Sequence, residues 1–146
     1  MFTSSTPLTG GSLTGRFVQH KLQSKHMNQE RTVTVRLPDH YDPQKEYPVV
    51  YLQDGQNMFD SRSGFMGQEW HVDETFAHLN ATGQLPEAVL VGVHHGPGRN
   101  SEYTHVPDPD YGGGEGRNYE NFFMNELMPA VESTYSVDSH KRVLMG

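Results

Sequence analysis

The 146 residues suffice for one domain that buries a real core, or for part of a larger one. A formal charge of -7, from 11 Lys and Arg against 18 Asp and Glu with no basic cluster, argues against nucleic acid and anionic membranes as partners. Cysteine is absent, which excludes disulfides and thiolate chemistry; a mean hydropathy of -0.71 is polar for a complete α/β domain, yet two strongly apolar segments argue against general disorder.

Residues 1–14 are rich in Ser, Thr and Gly and read as a flexible N-terminal segment. They show neither a basic start nor an apolar stretch of signal-peptide length, and no transmembrane span follows, so a cytoplasmic location is expected. Gly10-Gly11-Ser12-Leu13-Thr14 matches the nucleophile-elbow pattern G-x-S-x-G except at its last position, but no apolar strand precedes it, and it reads as linker. Residues 15–27 alternate loosely and residues 31–37 alternate clearly, with Val33, Val35 and Leu37 against Thr32, Thr34 and Arg36. An antiparallel pair with one face nearer solvent is expected there. Pro38-Asp39 and Tyr41-Asp42-Pro43 mark a loop. Val49, Val50, Tyr51 and Leu52 are then too few for a helix and suit a parallel strand buried on both faces, ended by Asp54-Gly55.

Residues 57–67 are irregular, and their Met58, Phe59, Phe65 and Met66 either line a pocket at the strand ends or pin the loop to the core. From Trp70 the pattern turns helical, with Val72, Phe76 and Leu79 on one stripe, acidic Asp73 and Glu74 in the first turn, and Gly83 at the end. Residues 88–93 form a second continuous apolar run, so strand, helix and strand make a parallel βαβ unit. Residues 94–116 form a long loop at the carboxyl end of that strand, a length usually functional or mobile. Its Gly112-Gly113-Gly114-Glu115-Gly116 fits neither G-x-G-x-x-G nor the P-loop, and Asp108, Asp110 and Glu115 make it anionic, so it reads as a flexible loop. Asn118 caps a helix running to about Tyr135, with a kink near Asn125 because Pro129 cannot donate to that carbonyl. Val143-Leu144-Met145-Gly146 opens a third parallel strand.

Four blocks now stand in a distinctive order: Tyr47-Pro-Val-Val-Tyr-Leu-Gln-Asp-Gly-Gln-Asn; Trp70-x-x-Asp73-Glu74; Val91-Gly92-Val93 with Arg99-x-x-Glu102-Tyr103-Thr104; and Phe123-x-x-Glu126-Leu127-x-Pro129 through Arg142-Val143-Leu144-Met145-Gly146. Together they resemble the putative-esterase family of α/β-hydrolases, which includes relatives of esterase D, the enterochelin esterases and the feruloyl esterases. The similarity covers roughly residues 15–146. It implies the N-terminal half of an α/β-hydrolase fold, a mostly parallel sheet with an antiparallel N-terminal strand pair, cut at the nucleophile elbow. The activity implied is hydrolysis of a carboxylic ester or thioester by a serine nucleophile through an acyl-enzyme. Gly146 matches the first glycine of G-x-S-x-G, which puts the serine and the later acid and histidine of the triad outside this chain. None of the nine histidines is then the catalytic base, and the chain alone is expected to be inactive.

What the resemblance leaves here is half of an oxyanion hole. Its loop donor falls on the backbone N–H of Gln56, with Gly55 letting the chain turn; a plain strand-ending Asp-Gly turn is the alternative. Asn57, Met58, Trp70, Arg99, Glu102 and Tyr103 are the substrate-side candidates. Arg99 either binds a polar or anionic substrate group or makes a salt bridge with Glu102, and Trp70 is either a packing residue or an aromatic wall. The His and Asp residues of the 94–110 loop lack ligand spacing of the H-E-x-x-H kind, so no metal and no cofactor are expected. The expected partner is a small-molecule ester, with self-association through an exposed central strand as a liability. The rival to the esterase fragment is a non-catalytic binding or interaction module complete at 146 residues.

Overall fold

In the computed structural model, which describes residues 1–110 and 112–146, a single six-stranded sheet carries helices on both faces. The strands are β1 (Phe2–Leu8), β2 (Arg16–Ser24), β3 (Gln29–Leu37), β4 (Tyr47–Leu52), β5 (Val89–Val93) and β6 (Val137–Met145), in the order β1-β2-β3-β5-β4-β6. β1 to β3 and the β3–β5 contact are antiparallel, whereas β5–β4 and β4–β6 are parallel. Helix α1 (Val72–Ala81) links the parallel strands β4 and β5, as the hydrophobic pattern requires. Helices α2 (Arg99–Glu102), α3 (Gly116–Phe122) and α4 (Met128–Thr134) follow. Of the long loop expected over residues 94–116, Tyr111 lies outside the described residues. Among the described residues no helix is long and apolar enough to cross a membrane.

β4 and β5 lie in the middle of the sheet. Every residue of β5 is buried, the two-sided burial that a continuous apolar run signals, whereas β4 buries Val49 and Tyr51 on one face and leaves Pro48 and Val50 partly buried on the other. One face packs on α3 and α4 through Phe122, Phe123, Leu127 and Val131, each fully buried aliphatic or aromatic side chain contributing on the order of 1.5–3 kcal/mol. The other packs Phe17, Leu52 and Leu90 against Met58, Phe59 and the Phe76 stripe of α1.

Four expectations need correcting. Residues 1–14, expected to be a flexible segment, contain β1, an edge strand whose residues 4–8 pair one for one with residues 17–21 of β2. The polar face of β3 is not near solvent: Thr34 and Arg36 are buried, with Arg36 donating to the Thr14 carbonyl at 3.0 Å and lying 5.9 Å over the Phe76 ring. The segment from Gly10 to Thr14 and α1 cover that face. Asn118 is not the helix cap, because α3 starts two residues earlier after Glu115, and the Asn118 amide donates to the Glu115 carboxylate at 2.7 Å. The kink expected near Asn125 takes the form of a π-helical turn, Phe123–Leu127, closed by Met128 N–H donating to the Phe123 carbonyl. Widening by one residue absorbs the donor that Pro129 lacks and keeps Phe122, Leu127 and Val131 on the core side.

β6 begins six residues before Val143 and lies at the end of the sheet, with Val143, Leu144 and Met145 exposed. Beside it, an apolar groove of about 450 Å³ runs between the sheet and α1, lined by Val50, Leu52, Phe76, Leu79, Val143 and Met145.

Candidate active site

β4 is held to its neighbour as far as Gln53, whose N–H donates to the Met145 carbonyl at 2.9 Å. The chain then turns within one residue. Asp54 takes a left-handed conformation (φ 52°, ψ 47°), and Gly55–Asn57 form one 3-10 turn closed by Asn57 N–H to the Asp54 carbonyl at 2.9 Å. A non-glycine residue pays for that conformation, and Asp is among those that tolerate it. Three contacts hold it: Arg99 Nε and Nη2 donate to the two carboxylate oxygens at 2.8 and 2.7 Å, and the Tyr103 hydroxyl donates to Oδ1 at 3.1 Å. The Arg99 bonds hold the Asp54 carboxyl below its ordinary range, with Tyr103 adding to the effect.

Gly55 does not supply the left-handed turn. A Cβ there would fall 2.3 Å from the backbone carbon of Gly92, and a Cβ on Gly92 would lie 2.9 Å from the Phe59 ring. Both glycines are needed so that the turn can cross β5 at backbone contact. Gln56 then sits over the end of β5, its side-chain amide accepting from His95 N–H at 3.1 Å and donating to the His95 carbonyl at 3.4 Å. The Gln56 backbone carbonyl accepts from Ser63 Oγ at 2.9 Å. Its backbone N–H has no acceptor among the described residues.

The turn borders a cavity of about 870 Å³ lined by Gln56, Asn57, Phe65, Trp70, His95 and Arg99 among others. Asn57 shapes it from below: its side-chain oxygen accepts from Phe65 N–H at 2.9 Å and its carbonyl from Trp70 N–H at 2.8 Å, bringing two exposed aromatic rings to the rim. Of the remaining candidates, Tyr103 touches the site through Asp54, and burial pushes its hydroxyl up to about 12. Met58 is buried in the core against Phe59 and Phe17. Glu102 is 2 % exposed and meets buried Arg31, which lies 5.9 Å over the Phe122 ring. The two ends of the Arg-x-x-Glu element therefore point to different partners: Arg99 fixes the site turn and Glu102 fixes the loop to β3. Phe65, one of the apolar loop residues expected either to line a pocket or to pin the loop, lines the cavity; Ser63 and His95 also border it, and only their proximity in the fold reveals them.

Elsewhere among the described residues, two aliphatic hydroxyls meet a histidine, Ser5 with His20 Nδ1 at 2.7 Å and Thr34 with His94 Nε2 at 2.9 Å. Neither is a triad, since the other nitrogen of His20 meets the Tyr135 hydroxyl and no carboxylate contacts either ring among the described residues. His95 lies 4.0 Å from Asp54 Oδ1 but has no hydroxyl partner among the described residues.

A parallel strand pair joined through α1, helices on both faces and a strand-end turn with an open N–H define part of an α/β-hydrolase scaffold. Solved structures agree: the chain aligns with the BES protein from Bacillus cereus at a TM-score of 0.70 and 23 % identity, covering 95 % of this chain and 54 % of that one. A ferulic acid esterase structure aligns at a TM-score of 0.61 and 29 % identity over 88 % of this chain and 48 % of that one. The family model described as Putative esterase matches residues 24–146, and the chain belongs to that family. Among curated proteins it is 24 % identical over 144 residues to the ferri-bacillibactin esterase BesA of Bacillus subtilis, covering 86 % of this chain and 47 % of BesA. The chain spans about half the length of the curated relatives it matches.

Proposed function

We propose that this chain carries the oxyanion side of a serine-dependent carboxylic ester hydrolase and contains no triad of its own. The single observation that carries the reading is the Gln56 N–H, open at the end of a buried parallel strand and held by Gly55, Ser63 and the Gln56–His95 amide contacts. Acyl transfer puts negative charge on the former carbonyl oxygen in the transition state, and a preorganised N–H that needs no rearrangement stabilises it by about 2.7–4 kcal/mol. Membership of the Putative esterase family and the similarity to proteins named as ferri-bacillibactin and ferulic acid esterases support a small-molecule ester as substrate. Trp70, Phe65 and Asn57 form the wall against which it would lie, with Arg99 and Tyr103 holding the turn and not the substrate.

The test is hydrolysis of p-nitrophenyl butyrate. The 146-residue chain is expected to turn over no faster than an albumin control, and a chain extended through the following half of the family domain is expected to gain activity that phenylmethylsulfonyl fluoride abolishes. Serine-dependent turnover by the 146-residue chain itself would sink the proposal. Association through the exposed edge of β6 belongs to the same reading, and sedimentation of the shorter chain should show mass increasing with concentration where the extended chain does not.

A further inference from the structure

We propose that Glu69, His71 and Glu74 form a binding site for a divalent transition metal ion of the Zn²⁺ type, beside the cavity at the start of α1. The ligand atoms are already gathered: His71 Nδ1 lies 3.3 Å from Glu69 Oε1 and 3.7 Å from Glu74 Oε2, and all three fall within 4.8 Å of one another. Donors about 2.0–2.2 Å from a shared ion stand roughly 3–4 Å apart, so only the Glu69–Glu74 edge has to close. Glu74 is the partly exposed member, its Oε2 turned inward beside His71.

What points to an ion is Glu69. Its side chain is 1 % exposed and faces the His71 ring, and the Ser12 hydroxyl lies near it without a well-formed hydrogen bond to either oxygen. The Ser12 hydroxyl accepts from Ser61 N–H at 2.9 Å and lies 3.3 Å from Ser61 Oγ, so its one proton is shared between Ser61 and Glu69. A buried carboxylate in that state is costly unless a cation meets it. The surroundings make the deficit larger. Asp73 is fully buried against Glu74 and accepts from Thr14 N–H at 2.6 Å, and Asp60 already occupies Arg62. Among the described residues, no Lys or Arg pairs with Glu69, Asp73 or Glu74. Two carboxylates, Glu69 and Glu74, thus share one imidazole, with buried Asp73 beside Glu74. The α1 N-terminus opposes a cation with only about half a positive charge.

The backbone is also committed. His71 sits in the left-handed region (φ 54°, ψ 37°), clamped on both sides by Trp70 N–H to the Asn57 carbonyl at 2.8 Å and Val72 N–H to the Met58 carbonyl at 3.1 Å. That conformation turns the imidazole back over Glu69, and the ring is 67 % exposed, which leaves an entry path and an open position for water. One imidazole with two carboxylates is a donor set for zinc and its neighbours and not for calcium or magnesium, which prefer oxygen alone. Sequence spacing misses this site because E-x-H-x-x-E bridges a strained turn and a helix start instead of one helix face.

Trp70, the single tryptophan, lies between two of the ligands and on the cavity wall, so it reports binding directly. EDTA-stripped 146-residue chain titrated with ZnCl₂ should bind one equivalent with a change in tryptophan fluorescence and a rise in melting temperature, and Co²⁺ should give d–d bands of a low-coordinate site. Glu69→Gln should weaken binding at least tenfold while raising the melting temperature of the metal-free chain, since it removes a buried unpaired charge. Glu74→Gln, at the less buried of the two carboxylate ligands, should weaken binding as well, with an unchanged far-UV circular dichroism spectrum showing that the variant folds. His105→Ala, which alters an exposed histidine paired with Glu120, should change nothing. No fluorescence response to zinc, or binding that survives both glutamate variants, overturns the proposal.

Discussion

Asp54 and His71 are near twins in backbone and opposites in charge balance. Each is a non-glycine residue in the left-handed region that precedes a helical turn; Asp54 lines the cavity, and His71 directly follows Glu69 and Trp70, which line it too. Around Asp54 the charge is balanced: a bidentate guanidinium and a hydroxyl hold the carboxylate and, through it, the turn that presents Gln56. Around His71 it is not balanced, with Glu69 and Glu74 both facing one imidazole and buried Asp73 behind Glu74. A turn that must present a fixed N–H is thus completed by the chain's own cation, and the wall opposite is left short of one. Strain at functional sites persists only where neighbours over-determine it.

The largest effect expected is at Gly55. Alanine there would meet Gly92 and Val93 backbone atoms at 2.3–2.7 Å, and backbone of a central strand cannot swing aside. Gly55→Ala should cost at least about 3 kcal/mol, read as a lower urea midpoint at unchanged m-value. Gly67, in the loop leading to Glu69, has a φ of +71° and nothing within 4 Å of its absent Cβ. Gly67→Ala should therefore cost only the dihedral penalty, about 1–2 kcal/mol. Equal losses at the two positions would mean that space is not what Gly55 provides.

Next comes the clamp. Arg99→Ala should destabilise the chain by about 1–2 kcal/mol at neutral pH, a charge-assisted pair discounted because the guanidinium is nearly half exposed. The sign with pH follows from Asp54, whose folded pKa is lowered. Its contribution is complete above the ordinary carboxylate range and is lost as pH falls through the lowered value. Wild-type and variant urea midpoints should accordingly converge toward acid pH; a gap that stays constant would place the effect in packing over Tyr103 and not in the ion pair.

Much of the scaffold was legible because burial writes itself into composition. Val89 to Val93 are apolar on both faces because both faces are covered, Val49 and Tyr51 face the core while Val50 is partly buried beside the open groove, and the α1 stripe shows one face against the core. β1 was not legible, since an edge strand with five consecutive exposed residues has nothing to alternate; it is ordered by pairing with β2. The site was half legible. Asp54-Gly55 marks a turn at a strand end, but the roles inside it are exchanged, with the aspartate taking the left-handed conformation and the glycine supplying clearance. The partners that make the turn rigid come from 45 and 49 residues away, and no local pattern encodes them.

The smallest expected effect separates stability from positioning. Ser63 Oγ donates to the Gln56 carbonyl at 2.9 Å and to the Asp60 carbonyl at 3.2 Å, tying the next loop to the peptide that follows the proposed oxyanion donor. Ser63→Ala should cost the chain only about 0.5–1.5 kcal/mol, because the hydroxyl is partly exposed and water replaces it. In a chain extended through the rest of the family domain, however, the same substitution frees the Gln56 peptide to tilt. An oxyanion donor acts only where its position is fixed before charge develops, so the loss should fall on kcat with KM little changed. A change in KM alone would assign Ser63 to shaping the cavity wall with Asn57 and Phe65, and the rigidity of the Gln56 turn would then rest on Gly55 and Asp54.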